Sequence, residues 1–234
     1  MSRRLRWTTG YRIIRTIYPP VDLFEDIADP ADWELLAAAE ARLNPRLRDE
    51  IGNLALVPPA RRVSGATASI AMGAFTHVST DRPGRFSDGR YGVWYCGDRV
   101  EVALAETAHH FQRFMRATAE PPADADFRLL TCSVAGTVEP APQDCLHDAD
   151  WAPGQRFGRA ARERGLDGVL YRSVRYPAGQ AAALFWPDCL TLPITQDRQF
   201  RYRWDGSRMS HYLSHGATSW TPWPIAGSSA ELPA

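Results

Sequence analysis

Residues Arg85 to His110 read RFSDGRYGVWYCGDRVEVALAETAHH, and a change of rhythm inside this stretch decides the fold. Arg85 to Gly92 is polar and punctuated by glycine, the composition of a turn. Val93-Trp94-Tyr95-Cys96 is short and apolar and reads as a buried strand. Gly97-Asp98 ends it, and Asp98 is read as the N-cap of a following helix, because a carboxylate there can accept from unpaired N–H groups. Val100, Leu104, Ala108, Phe111 and Met115 then recur at the spacing of one helix face. Glu106 falls at the border of that face, beside Val102, Ala103 and His110. A carboxylate half-way into a protein costs free energy unless it faces a cleft or has a partner. The pattern leaves two readings, a catalytic or ligand-binding Glu and a solvated Glu in an ordinary helix, and by itself favours the second.

Outward from this stretch, bulk properties set limits. A chain of 234 residues with 44% hydrophobic residues can bury a substantial core as one large domain or two small ones. Arginine supplies all 27 basic side chains, balancing 27 acidic ones, so the net charge is zero. That argues against direct nucleic-acid binding, which needs a basic surplus. It leaves room for a local pocket of arginines, whose forked donors suit phosphate. The cysteines Cys96, Cys132, Cys145 and Cys189 form no Cys-x-x-Cys pair, so a zinc knuckle is not expected. No apolar run approaches the ~20 residues of a membrane span, and the start lacks the apolar stretch of a signal peptide. The expectation is a cytoplasmic protein with reduced thiols and no membrane contact.

Taken in order, residues 1–10 are expected to be a tail and Tyr11 to Tyr18 a β-branched strand. Arg12 and Arg15 then lie on opposite faces. Helices are expected from Asp29-Pro30 to Arg42, over Arg46 to Ile51, and over Ser64 to His77, with Leu54 to Val57 extended between them. Residues 21–80 thus read as a helical insertion. Ala119 to Asp126 reads as a linker, Arg128 to Val138 as a strand, Pro140 to Pro153 as a loop, and Gln155 to Arg164 as a helix. Strands follow at Gly168–Val174, Ala181–Trp186, Leu190–Ile194 and Gln199–Trp204. From Gly206 the chain reads as an irregular extension whose last ten residues are expected to be mobile. The fold class is α+β: one domain with a mixed or antiparallel sheet flanked by helices.

Several motifs are absent. No Gly-x-Gly-x-x-Gly follows a strand, which removes a Rossmann site, and there is no Walker A sequence. Glu106, His109 and His110 share neighbouring helix faces, but without His-Glu-x-x-His order they read as packing rather than as metal ligands. Ser173 lacks the Gly-x-Ser-x-Gly elbow that exposes a nucleophile.

An Arg before a glycine turn, a strand ending near Tyr, and a helix carrying Ala-x-x-Glu together resemble the RES domain family. Arg85, Tyr95 and Glu106 match its first hallmark. Leu166-Asp167-Gly168-Val169-Leu170-Tyr171-Arg172-Ser173 is similar to its second, an Asp-Gly-hydrophobic run leading to Tyr-x-Ser. The likeness runs from about Tyr11 to about Pro193, so residues 11–205 are taken as the domain. It implies an ADP-ribosyltransferase-like fold, NAD as substrate with no metal, and the toxin role of a toxin–antitoxin pair. The implied partner is an Xre-type helix-turn-helix antitoxin, in a complex that could contain a homodimer of the toxin. It also implies roles for residues. Glu106 would stabilise positive charge on the ribose, Arg85 and Arg12 would hold the pyrophosphate or nicotinamide amide, and Tyr95 would stack on nicotinamide. Ser173 would hydrogen-bond near the nicotinamide ribose. The acceptor stays open between water, phosphate and a protein side chain. A non-catalytic nucleotide-binding module and a hydrolase using Ser173 are the alternatives.

Overall fold

The computed structural model describes residues 1–17, Trp33, 52–147 and 150–228. The expected helices over 29–42 and 46–51 and the end of the chain from 229 lie outside these residues. Trp33 alone is described there, helical and 1% exposed.

Among the described residues, eight strands form one sheet in the order β1-β2-β5-β4-β3-β6-β7-β8. They are β1 (Arg3–Arg15), β2 (Trp94–Gly97), β3 (Ala123–Pro140), β4 (Gly168–Arg172), β5 (Gln180–Leu184), β6 (Thr195–Trp204), β7 (Met209–Ser214) and β8 (Thr221–Pro222). An additional β1–β3 pairing closes β1, β2, β5, β4 and β3 into a ring. Only β3–β4 is parallel, so the sheet is mixed and mostly antiparallel, as expected. Among the described residues three α-helices accompany it: α1 (Ala68–Thr76), α2 (Val100–Ala117) and α3 (Ala152–Glu163).

Strand alternation sorts the core by face. Trp94 and Cys96, Leu130, Leu170, and Ala182 and Leu184 pack with α1 residues Ala71, Met72 and Phe75 on one side. Their chain neighbours turn the other way. Leu129 meets Leu104, Ala108 and Phe111 of α2, while Tyr95, Val169, Tyr171, Ala181 and Ala183 join Val102 and α3's Ala161. One sheet therefore carries two separate compartments.

The structure corrects several sequence expectations. Residues 3–10 are not a tail: β1 starts at Arg3 and pairs with β3 along its length. Leu54–Leu56 is a 3₁₀ turn, not extended. Asn53 accepts from Ala55 N at 3.1 Å, and the buried Arg62 guanidinium donates to the carbonyls of Leu54 and Val57, leaving no need for a strand partner. The supposed linker at Ala123–Asp126 is strand, paired in register with β6 and with Ala125 turned into the core; the Asp124–Arg203 and Asp126–Arg201 pairs flank it outside. Leu190–Ile194 makes only an isolated bridge at Leu190, and β6 starts at Thr195. Beyond Gly206, β7 and β8 extend the sheet; Tyr212 packs on Trp223 at 6.3 Å and Arg203 lies 3.8 Å from the Trp220 ring. Asp98 does not cap α2, whose N-cap is Arg99. Its carboxylate instead accepts from Gln180 N at 3.0 Å and ties the start of β5 to the end of β2.

Candidate active site

Three pieces of chain meet on the α2–α3 side of the sheet. The first is the turn before β2. Ser87 Oγ donates to Tyr91 O at 2.6 Å and accepts from Gly89 N, and Tyr91 Oη donates to Phe86 O. These local bonds give the turn one shape. α3 then clamps it. Gln155 Nε2 donates to Gly84 O at 3.1 Å, and a Cβ on Gly154 would stand 2.5 Å from Arg85 O, so only glycine lets the helix lie this close. Arg85 leaves this turn half-buried and donates to His147 O at 2.9 Å.

The second piece is β2. Tyr95 Oη accepts from Phe86 N at 3.1 Å, so the strand and the turn are bonded to each other. The ring passes so near Gly84 that a Cβ there would sit 2.7 Å from the hydroxyl. Burial pushes the phenol up to about 12, and it keeps its proton at neutral pH.

The third piece is the end of β4 and the bend after it. Ser173 is 1% exposed. Its Oγ donates to Glu106 Oε1 at 2.7 Å and accepts from Arg175 N at 3.2 Å and Tyr176 N at 3.0 Å. A hydroxyl has one proton and two lone pairs, and all three are used. The arrangement delivers the serine proton to a carboxylate, and no imidazole serves as its base. Glu106 itself is half-buried on α2. Burial holds its carboxyl above the ordinary range; the Ser173 bond and then the positive charges of Arg175 and Arg85 pull the other way. Tyr171 lies close enough to feel that charge and packs on Phe86 at 5.0 Å.

Four of the five residues singled out by sequence therefore meet: Arg85, Tyr95, Glu106 and Ser173. Arg12 does not join them. Its guanidinium lies 4.6 Å from the Trp94 ring and donates to the backbone carbonyl of Tyr95 at 3.0 Å. Trp94 faces α1, so Arg12 is on the opposite side of the sheet from Glu106. The residues missed by sequence reasoning are Arg175 and His109, whose Nη2 and Nε2 atoms stand 3.0 Å apart. The signals existed: His109 is three residues after Glu106, on the same helix face, and Arg175 is two after Ser173. No cluster of metal-ligating side chains occurs among the described residues, and no helix among them is long and apolar enough to cross a membrane.

A family model, the RES domain, matches residues 59–205. The chain belongs to the RES domain family. The matched part contains Arg85, Tyr95, Glu106 and Ser173 and leaves β1, with Arg12, outside. This RES chain is also 31% identical over 206 residues to the uncharacterized protein y4oC of Sinorhizobium fredii (strain NBRC 101917 / NGR234), across 86% of this chain and 84% of that protein. Among solved structures, the M. tuberculosis MbcT–MbcA toxin–antitoxin complex is similar at 15% identity and a TM-score of 0.42, covering 91% of this chain and 86% of that chain.

Proposed function

We propose that this RES protein is an NAD-consuming toxin of a toxin–antitoxin pair, acting on the nicotinamide–ribose bond. One observation carries the reading: a half-buried carboxylate, Glu106, held at 2.7 Å by a serine that has no other use for its proton. Breaking the C–N bond sends its electron pair to nicotinamide and leaves positive charge on the ribose. A carboxylate fixed beside that carbon stabilises the charge as it develops, and being pre-positioned it needs no reorganisation during the step. Arg85 would supply forked donors to the pyrophosphate or the amide. Tyr95, protonated at neutral pH, would offer a ring face and a hydroxyl. An acceptor atom from water, phosphate or a protein side chain then bonds to the ribose carbon; water or a side chain gives up a proton in doing so, and a phosphate anion does not need to.

The alternative of a serine hydrolase is disfavoured by the three filled bonds of Ser173 Oγ. An enzyme that removes NAD would harm its host, so an inhibitor is expected, and family membership points to an Xre-type antitoxin protein encoded beside it. The test is nicotinamide release from NAD by the purified protein. The second product names the acceptor: free ADP-ribose, its phosphate, or a modified protein. No release, together with NAD binding, would leave a non-catalytic nucleotide-binding module.

A further inference from the structure

The contacts do not end at the serine and the carboxylate. Arg175 sits in the bend between β4 and β5 and is 6% exposed. A guanidinium keeps its charge in a protein, so burying one requires groups that receive its donors or oppose its charge. Its main-chain N–H donates to Ser173 Oγ at 3.2 Å, and its Nη2 lies 3.0 Å from His109 Nε2. Guanidinium nitrogens only donate, so His109 Nε2 is the acceptor and carries no proton there. Glu106 and His109, three residues apart, share one face of α2. Arg175 thus grips that face at two points one turn apart, through Ser173 on Glu106 and directly on His109.

We propose that Arg175 is the positioning residue for Glu106: its main chain fixes the serine that fixes the carboxylate, and its guanidinium, anchored on His109, supplies positive charge that favours the ionised form of the carboxyl against the burial that opposes it. This rests on Glu106 being the charge-stabilising group proposed above. The groups around Glu106 are Ser173 and Arg175 from the bend after β4, Arg85 from the turn before β2, Tyr95 of β2, Tyr171 of β4, and His109 on its own helix, with His110 stacked edge-on against His109 at 5.3 Å. Both tyrosines are protonated at neutral pH, since burial raises each. Among the described residues, Arg175 and Arg85 are then the fixed cations acting on the carboxylate, and Arg175 acts the more strongly.

The test reads the carboxyl directly. Protein labelled with ¹³C-glutamate is titrated by NMR, and the Glu106 signal is the one missing from Glu106→Gln. In Arg175→Gln its midpoint rises by roughly one pH unit or more, as expected on losing an opposite charge at close range; Arg175→Lys, which keeps a charge, returns most of the shift. The acid limb of nicotinamide release moves in the same order. A merely structural arginine would lower the melting temperature of both variants and leave the Glu106 midpoint where it was, and that result overturns the proposal. Should Arg175→Gln fail to fold, His109→Ala carries the same test by removing the bond between the guanidinium and α2 at 3.0 Å: an upward shift supports the proposal and an unchanged midpoint refutes it. If the wild type releases no nicotinamide, the NAD reading fails while the titration still decides the role of Arg175.

Discussion

The two sides of β2 do opposite work with the same kinds of residue. On one side Arg175 and Glu106 are joined through Ser173, with Arg85 and Tyr95 close enough to act on the carboxyl electrostatically. On the other, Arg12 lies over Trp94 beside the buried thiols Cys96 and Cys132, among the apolar residues packed under α1. Burial pulls the Arg12 guanidinium down and pushes Cys96 and Cys132 up, with Cys132 near 11, so these thiols stay protonated and unreactive at neutral pH. The lesson is that the side of the sheet, and not residue type, sorts the arginines: alternation along β1 sends Arg12 to the Trp94 side, with Leu130 opposite it in the same core, while Arg85 and Arg175 come from bends on the Tyr95 side. Arg85 and Arg175, on the Tyr95 side, stand with Glu106; Arg12, on the Trp94 side, stands among core residues.

The sharpest way to break this comparison is Glu106→Gln. It keeps size and most hydrogen bonding but removes the charge. The rate of nicotinamide release should fall on the order of a hundred- to a thousandfold, mainly in the chemical step, with little change in thermal melting. Equal rates would return Glu106 to an ordinary helix position. The remaining wild-type activity also has a direction in pH. Because burial raises the Glu106 carboxyl above its ordinary value, it picks up its proton earlier as pH falls. The acid limb of kcat/KM should therefore lie at higher pH than an exposed Glu would give.

Next in size is Ser173→Ala. It deletes one bond to a charged carboxylate, a contribution of about 1.5–3 kcal/mol, so the rate should drop by roughly ten- to a hundredfold. It also strips the acceptor from the N–H groups of Arg175 and Tyr176, so melting should fall as well. Labelling of Ser173 by a fluorophosphonate would contradict the geometry and restore the hydrolase.

Arg12→Met tests the other compartment. The loss of a cation–π contact is worth about 0.5–2 kcal/mol, so melting should fall, while the KM for NAD should stay within about twofold per folded molecule. A rise in KM well beyond that, with melting unchanged, would move Arg12 back into the ligand site.

The smallest effect belongs far from both faces, at the exposed Asp124–Arg203 pair on β3 and β6. The Asp124 hydrogen bonds to Arg203 hold its carboxyl below the ordinary value. Its contribution is therefore present above the unfolded carboxyl's value and is lost as pH falls through the lower, folded one. Asp124→Asn should melt slightly below wild type near neutrality and no differently in strong acid. A gap that persists in acid would mean something other than the ion pair is lost.

Much of this was legible in the chain itself. The turn, strand and amphipathic helix of 85–117 follow from glycine placement and from apolar spacing of two and then 3.6. Glu106 is marked as unusual by sitting where that helix changes from apolar to polar. β4 and β5 are readable as apolar runs between turn signals, and their alternation reappears as residues shared between two core compartments. What local pattern could not decide is whatever depends on a distant partner. Ala123–Asp126 is strand because β6 pairs with its backbone and Ala125 packs into the core under α2, and β7 and β8 extend the edge that β6 offers. Ser173 reaches Glu106 across 67 residues of sequence, and Arg175 reaches His109 across 66. Such pairs have no period to betray them. Nor does the sequence say which side of β2 faces the helix with the carboxylate: that follows from β2 being trapped between β1 and β5, with α1 covering Trp94 and α2 and α3 covering Tyr95. Composition and spacing determined β2, α2, β4 and β5 and the candidates on them; only the packing of both faces of one sheet decided that Arg85 and Arg175 share a compartment with Glu106, and that Arg12 does not.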